Sequence, residues 1–169
     1  VRALIPTACR SLNLTAVILF LVGSVGVFQF LLANLYLPQK ITEVVVGWGL
    51  TPIGFIFAFM GVLLLLGMLV DGVAMLLLTV PVVFPVAMAL GIDPIHLAII
   101  ITLNVEMGVV TPPVGLNLFA VAGTSNIPLA QVLKGTIPFF LGDLTVLLLV
   151  IFFPALATWL PSVLSKPLF

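Results

Sequence analysis

The sequence predicts an all-α integral membrane protein. Of its 169 residues, 63% are hydrophobic and only 6% are charged, whereas soluble domains carry about 25% charged residues. The apolar runs continue over about 20 residues, the length of a membrane helix, instead of alternating over the about 10 residues of a barrel strand. The mean hydropathy of +1.49 agrees with this assignment. The composition therefore excludes a water-exposed globular surface.

Residue counts exclude several classes of site. The five basic and five acidic residues give no net charge, so the sequence offers no basic surface for nucleic acid. Cys9 is the only cysteine and His96 the only histidine, which excludes an internal disulfide, a thiolate metal cage and a multi-histidine metal site. The chain begins at Val1 without a cleavable signal pattern. We therefore expect it to be the later part of a longer polypeptide.

The two ends of the chain predict surface and spanning helices. Residues 1–13, with Arg2 and Arg10, predict an amphipathic helix on the membrane surface. Residues 14–37 are long enough to cross a core of about 30 Å at about 1.5 Å per residue, and an interfacial connection follows to residue 50. After a polar connection that starts near residue 123, residues 136–160 form the last predicted span.

Two apolar arms, residues 51–70 and 72–90, are separated by Asp71-Gly72. They form either two full spans joined by a tight turn or one re-entrant hairpin whose tip stops inside the membrane, because each arm has about the minimum spanning length. An aspartate inside the membrane costs about 2.5–3.5 kcal/mol and needs a partner or a wet cavity. Oxygen atoms at this tip, with Gly67, Asp71 and Gly72 as candidates, would suit Na⁺ or H⁺.

The stretch from Gly108 to Asn117, GVVTPPVGLN, interrupts a helix within an apolar region. Its two prolines remove two backbone donors, and each carbonyl freed in hydrocarbon costs several kcal/mol unless something satisfies it. Broken membrane helices form the binding sites of secondary transporters. The candidate ion- and substrate-binding residues here are Asn104, Gly108, Thr111, Pro112, Pro113, Gly115 and Asn117.

This break has two interpretations. Freed carbonyls can coordinate a cation, and a half-helix that starts after Pro113 can direct its positive dipole end at an anionic substrate. A proline kink accommodated by neighbouring helices is the alternative. A kink explains one proline better than it explains Thr-Pro-Pro with flanking glycines and asparagines, which favours a site. We expect Glu106 to be a structural partner, His96 a solvated loop residue and Asp143 an interfacial or capping carboxylate.

The motif GVVTPPVGLNLF at residues 108–119 resembles the signature of the large membrane subunit of TRAP (tripartite ATP-independent periplasmic) transporters, the DctM-like proteins. Further segments resemble the same family in the same order and extend the likeness over nearly the whole chain. They are residues 67–72 (GMLVDG), 81–85 (PVVFP), 91–94 (GIDP), 104–108 (NVEMG) and 152–161 (FFPALATWLP). With one hairpin and one broken helix, the chain is similar to the C-terminal half of that subunit.

The resemblance implies an elevator-type fold, like that of the ion transporter superfamily, built from two inverted repeats. This chain would be the C-terminal inverted repeat. Residues 51–126 would form the transport unit, with a re-entrant hairpin at 51–90 and a discontinuous helix at 95–122. Residues 14–50 and 127–169 would belong largely to the scaffold. On this basis the re-entrant position of Asp71 is the favoured one.

The resemblance also implies a function, which is Na⁺-coupled import of organic acids such as C4-dicarboxylates, keto acids or sugar acids across a bacterial inner membrane. The implied partners are the missing N-terminal half, a small membrane subunit and a periplasmic solute-binding protein. Na⁺ is the coupling ion and no other cofactor is expected, since the chain has no phosphate-binding loop for ATP. We expect no enzymatic activity and no nucleic-acid partner.

Two other functions remain open at this point. The chain could be a non-transporting assembly subunit that shares the family's shape. It could also be an intramembrane aspartyl protease in which Asp71 and Asp143 form a carboxylate dyad with split pKa values. The absence of a Gly-x-Gly-Asp pattern from the sequence argues against the protease.

Overall fold

The computed structural model describes residues 4–112 and 115–164, which fold into eight α-helices. All regular structure in this part of the chain is helical, which confirms the predicted all-α class. In chain order the helices are α1 (Leu4–Asn34), α2 (Leu37–Gly47), α3 (Pro52–Gly67), α4 (Gly72–Ala89), α5 (Pro94–Val109), α6 (Leu116–Ser125), α7 (Leu129–Phe152) and α8 (Ala155–Leu164).

Three helices are long and apolar enough to cross a membrane by length and composition. They are α1 over Pro6–Asn34 with 29 residues, α4 with 18 and α7 with 24. The apolar helices α3 and α5 have 16 residues each. At about 1.5 Å per residue each reaches about 24 Å, which is less than a hydrocarbon core of about 30 Å. The chain is thus a multi-pass helical membrane protein, and in its described part the shorter apolar helices α3, α5 and α8 lie beside the candidate spans.

Helix α5 occupies the centre of the bundle and packs against α3, α4, α7 and α8. Met60 and Gly67 of α3 contact Asn104 and Gly108 of α5 in the same order, so the two helices run parallel. Helix α7 runs antiparallel to α5, because its late residue Val150 lies beside the first turn of α5. The largest fully buried side chains of this bundle are Leu63, Met75, Val86, Ile100, Asn104, Met107 and Leu147.

Side-chain caps determine where helices α3, α4 and α5 begin. Thr51 accepts a hydrogen bond from the N–H of Gly54 at 3.1 Å, and Asp71 accepts one from Ala74 at 3.3 Å. Asp93 accepts two, at 2.8 and 3.0 Å, from the first residues of α5. Such caps stabilise a helix by about 0.5–2 kcal/mol. Asp71 therefore ends the turn after α3 and starts α4.

The predicted surface helix of residues 1–13 is not a separate element. Helix α1 continues without interruption from Leu4 to Asn34, so the boundary expected after Asn13 is wrong. Residues 7–22 contain no glycine or proline that would end a helix there. The chain instead turns at Tyr36, whose φ of 53° is left-handed, and enters α2.

The predicted single last span is also two helices. Helix α7 begins at Leu129, ends at Phe152 and is followed by α8. Phe153 leaves the helical region with φ −123° and ψ 77°, directly before Pro154, because the residue that precedes a proline is disfavoured in the helical region. The expected polar connection is correspondingly short, since α6 reaches Ser125 and only three residues join it to α7.

His96 is buried, contrary to the solvated loop position expected from the sequence. Its side chain is 5% exposed in the first turn of α5. Its Nε2 lies 2.8 Å from the carbonyl oxygen of Val150 on α7, so the ring must donate this hydrogen bond. Pro154, four residues after Val150, has no N–H to give to that carbonyl. The imidazole thus replaces a backbone donor that the proline removed.

Helices α3 and α5 approach each other closely where Gly67 meets Gly108. A Cβ atom built on Gly67 would lie 2.6 Å from the Cα of Gly108, and one built on Gly108 would lie 3.0 Å from the Cα of Gly67. Gly72 is similarly tight, because its Cβ would lie 3.0 Å from Cγ1 of Val105. Both ends of the α3–α4 turn are therefore held against the second half of α5.

Gly67→Ala should lower thermal stability, because its methyl group has no room unless the two backbones separate. Overpacking of this kind costs about 1–3 kcal/mol. Gly61→Ala is the matched control, since a Cβ on Gly61 of the same helix meets nothing within 4 Å. Thermal unfolding of the intact purified permease in detergent measures both variants. Equal midpoints for the two would contradict the close crossing.

His96→Leu should also destabilise the protein, because the carbonyl of Val150 would lose its donor inside the bundle. The expected loss is about 1–3 kcal/mol. Thr102→Val is the control on the same helix, because Thr102 is exposed and donates only to the carbonyl of Ala98. The measurement is again the unfolding midpoint in detergent. If His96→Leu and Thr102→Val unfold at the same temperature, the hydrogen bond from His96 to the carbonyl of Val150 does not contribute to stability.

Candidate functional site

The predicted break is present between α5 and α6. Helix α5 ends at Val109 and α6 begins at Leu116. The last turn of α5 tightens, with the N–H of Val110 donating to Met107 at 3.3 Å and that of Thr111 donating to Gly108 at 3.1 Å. Pro113, one of the sequence candidates, lies outside the described residues. The interruption therefore begins directly after Val109, one residue beyond Gly108, where α3 crosses α5.

Gly115 sets the start of the second half-helix. Its φ of 47° is left-handed, and a Cβ there would lie 2.8 Å from Cδ1 of Leu118 and 3.1 Å from the carbonyl oxygen of Thr111. The left-handed backbone and the lack of space for a Cβ atom both favour glycine at this position. Gly115 caps α6 without a side-chain hydrogen bond. The first N–H groups of α6, at the positive end of its dipole, thus lie at the break.

Thr111 and Pro112 line a pocket between the break and α7. Thr111 is half-buried and its hydroxyl donates to the carbonyl of Met107. The hydroxyl oxygen keeps lone pairs that can accept a hydrogen bond or bind a cation. The pocket has a volume of about 360 Å³ and is lined by Val110, Thr111, Pro112, Leu133, Thr136, Ile137 and Phe140. It is apolar apart from the two threonines.

Asp71 lines a different cavity. Its exposed carboxylate caps α4 and lies in a groove of about 490 Å³ between α4 and α1, together with Leu21, Val25, Leu77 and others. The structure thus brings Gly67 and Gly72 against α5 near the break. It does not place the Asp71 carboxylate and Thr111 in one pocket.

Asn104 is the buried polar residue nearest to this region. It is fully buried, and its Nδ2 donates to the carbonyl of Met60 on α3 at 3.1 Å. Its Oδ1 is the one buried side-chain oxygen or nitrogen without a hydrogen-bond partner among residues 4–112 and 115–164. An unsatisfied buried acceptor costs about 1–3 kcal/mol. A water molecule or a cation would remove that cost.

The remaining candidates are more open. Pro112 and Asn117 are exposed, as are Glu106 and Asp143. In the part of the chain that the structure describes, no hydrogen bond joins Asp71 to Asp143, and no three His, Cys, Asp or Glu side chains converge on a possible metal site. The oxygens that the described residues offer at the break include the Thr111 hydroxyl and the unpartnered amide oxygen of Asn104.

Sequence reasoning did not identify the α7 wall of the pocket. Thr136 and Phe140 face Thr111 across it, although Thr136 was only the predicted start of a span. Thr136 donates to the carbonyl of Val132 within α7, as threonines in many helices do. Its place in the pocket depends on how α7 packs against α5, which the local sequence does not contain.

Comparison with known proteins identifies the same family that the motif at residues 108–119 resembles. Residues 2–156 match the family described as the tripartite ATP-independent periplasmic transporter, DctM component. The chain is 38% identical over 155 residues to the C4-dicarboxylate TRAP transporter large permease protein DctM of Vibrio cholerae, covering 92% of this chain and 34% of the relative.

Two further relatives carry other names. The sialic acid TRAP transporter large permease protein SiaM of Vibrio cholerae is 35% identical, with 90% of this chain and 36% of the relative covered. The ectoine/5-hydroxyectoine TRAP transporter large permease protein UehC of Ruegeria pomeroyi is 35% identical, with 87% and 34% covered. The chain thus spans about a third of the length of the curated relatives that it matches.

Proposed function

Because the chain belongs to the DctM family of tripartite ATP-independent periplasmic transporters, we propose that it is the C-terminal part of a permease subunit that imports organic acids together with Na⁺. The substrates are carboxylates of the C4-dicarboxylate, keto acid or sugar acid class. Relatives named for C4-dicarboxylate and for sialic acid support this range. The subunit works in a bacterial inner membrane.

One observation carries the proposal, namely that the end of the α3–α4 hairpin packs on α5 where that helix is about to break. The Gly67–Gly108 contact holds the hairpin there, and Thr111 follows within one turn. Secondary transporters bind ions and substrates at such discontinuous helices near the middle of the membrane. Helix α3, at about 24 Å, suits a re-entrant arm that stops inside the membrane.

Na⁺ binds at the break through oxygen atoms of the chain. A hard cation prefers carbonyl, hydroxyl and amide oxygens, and this region offers the Thr111 hydroxyl, the carbonyls around it and the unpartnered Oδ1 of Asn104. Asp71 at the hairpin end contributes negative charge from the neighbouring groove. The coupling ion thus needs no cluster of acidic residues.

The substrate carboxylate is held near the N-terminus of α6. This helix starts at Gly115 without a side-chain cap, and its N-terminus is the positive end of the helix dipole, which favours an anion. Asn117 lies in its first turn and is exposed. The rest of the substrate site comes from the N-terminal half of the same subunit, which these residues do not include.

Transport proceeds by an elevator motion in which the hairpin and the broken helix move against a scaffold. The complete importer includes the N-terminal half, a small membrane subunit and a periplasmic solute-binding protein that delivers the substrate. The ion gradient supplies the energy. Membership in a tripartite family supports these partners, and the chain covers only about a third of the length of its relatives.

Thr111→Ala and Asp71→Ala in the intact permease with its partners should each raise the Na⁺ concentration for half-maximal uptake by about tenfold. Removal of one ligand or nearby charge has an effect of this size. Membrane insertion should be normal. Uptake of radiolabelled substrate into proteoliposomes, as a function of Na⁺ concentration, measures the shift.

Two control variants match these changes. Thr102→Ala removes an exposed α5 hydroxyl that bonds only within its helix, and Asp93→Ala removes a helix cap of the same kind as Asp71. Neither should change the Na⁺ dependence. If Thr111→Ala and Asp71→Ala both keep the wild-type Na⁺ curve, the proposed ion site is wrong.

Asn104→Leu should leave the ion-free protein about as stable as the wild type, because removing a buried acceptor without a partner offsets the loss of the Nδ2 hydrogen bond to the carbonyl of Met60. It should also abolish the rise in unfolding temperature that bound Na⁺ produces. The measurement compares unfolding midpoints in NaCl and in KCl. Asn34→Leu, on an amide that bonds only within α1, is the control. A full Na⁺-dependent rise in Asn104→Leu would exclude Asn104 from the ion site.

A further inference from the structure

Pro81 leaves a carbonyl of α4 without its helical donor. The carbonyl of Leu77, four residues earlier, would accept from the N–H of residue 81 in an unbroken helix, and proline has none. In a membrane an unsatisfied carbonyl costs several kcal/mol. The side-chain Nε2 of Gln29 on α1 lies 3.3 Å from this oxygen and donates to it. A side chain 48 residues away thus replaces the missing backbone donor.

His96 and Val150 repeat the same arrangement in another part of the bundle. There Pro154 frees the carbonyl and a ring N–H from a different helix satisfies it. Two proline-freed carbonyls therefore each receive a side-chain donor from a helix distant in sequence. In both places the hydrogen bond joins two helices as well as satisfying a backbone oxygen.

Gln29 differs from other polar residues of α1. Thr15, Ser24 and Asn34 donate to carbonyls four residues earlier in the same helix, at 2.8–2.9 Å. Gln29 instead reaches across to α4. Helix α1 is otherwise loosely attached, because Leu32 is its one buried hydrophobic residue in the described part of the chain and a groove of about 490 Å³ separates it from the start of α4.

We propose that Gln29 is a positioning residue that latches α1 to the proline-freed carbonyl of Leu77 and releases it when the hairpin moves. This inference rests on the proposed function, since it assigns α1 to the stationary part and α4 to the moving part. The hydrogen bond from Gln29 to the Leu77 carbonyl stabilises the observed packing of α1 on α4. It is lost in any arrangement in which α4 has moved and Leu77 no longer lies beside Gln29. Pro81 makes the latch necessary because only a proline leaves that oxygen free.

Cross-linking between α1 and α4 tests the latch. Val25→Cys and Leu78→Cys face the same groove, and Cys9→Ser removes the native thiol of this chain. A short bis-maleimide is applied to the intact permease, without substrate or Na⁺. Gln29→Met, which keeps the side-chain length but not the donor, should lower the ratio of latched to released protein by about three- to twentyfold. Asn34→Leu should leave it unchanged.

Pro81→Ala provides the second variant. It restores an N–H to the Leu77 carbonyl, so it should itself weaken the latch, and Gln29→Met added to it should have no further effect. A merely structural role for Gln29 would give additive losses. The proposal is overturned if Gln29→Met cross-links as well as the wild type. It is also overturned if Gln29→Met lowers cross-linking as much in the Pro81→Ala background as it does alone.

Parallel uptake measurements separate this proposal from the proposed function. Cross-linking reports the α1–α4 arrangement without any transported ion. If uptake does not depend on Na⁺ while Gln29→Met still lowers cross-linking, the transport proposal fails and the latch stands. If uptake is driven by Na⁺ and cross-linking is unaffected, the latch fails alone.

Discussion

The contact between Gly67 and Gly108 determines where the functional elements of this protein lie. With no side chain at either position, α3 and α5 approach until a Cβ on one would lie 2.6 Å from the Cα of the other. The contact holds the end of the hairpin beside the last regular turn of α5. Every candidate oxygen at the break is positioned relative to this crossing. A bulkier residue at either glycine would move the hairpin away from the break, and the ion site proposed here would lose one wall.

Prolines in this bundle leave particular backbone carbonyl oxygens without their helical N–H donors. At the break before Gly115, our proposal assigns the interrupted backbone to an ion and a substrate, while the carbonyl of Gly108 also accepts from the N–H of Thr111. At Pro81 and Pro154, the carbonyls of Leu77 and Val150 instead receive donors from other helices. Low dielectric makes an unpaired carbonyl costly, so each must be satisfied by protein, water or ligand. The same chemistry thus ties helices together in two places and forms a candidate site in a third.

The position of the break was predictable because it depends on local backbone chemistry. Thr-Pro-Pro with flanking glycines strongly disfavours a continuous helix, and the structure interrupts the helix at that motif. The capping role of Asp71 has the same local origin. The pocket wall at Thr136, the burial of His96 and the donor Gln29 were not predictable, because each depends on residues more than 20 positions away.

The sequence by itself determined the membrane class, the family, the helical content and the interrupted segment, since these follow from hydropathy, proline chemistry and a specific motif. Only the tertiary structure decided that Asp71 and Thr111 line different cavities, that α1 is one continuous helix and that the last span divides at Pro154. The physical reason is that hydropathy in a membrane protein marks lipid-facing and buried surfaces alike. Close packing, together with the few polar atoms that need hydrogen-bond partners, decides which apolar helix faces pack against each other.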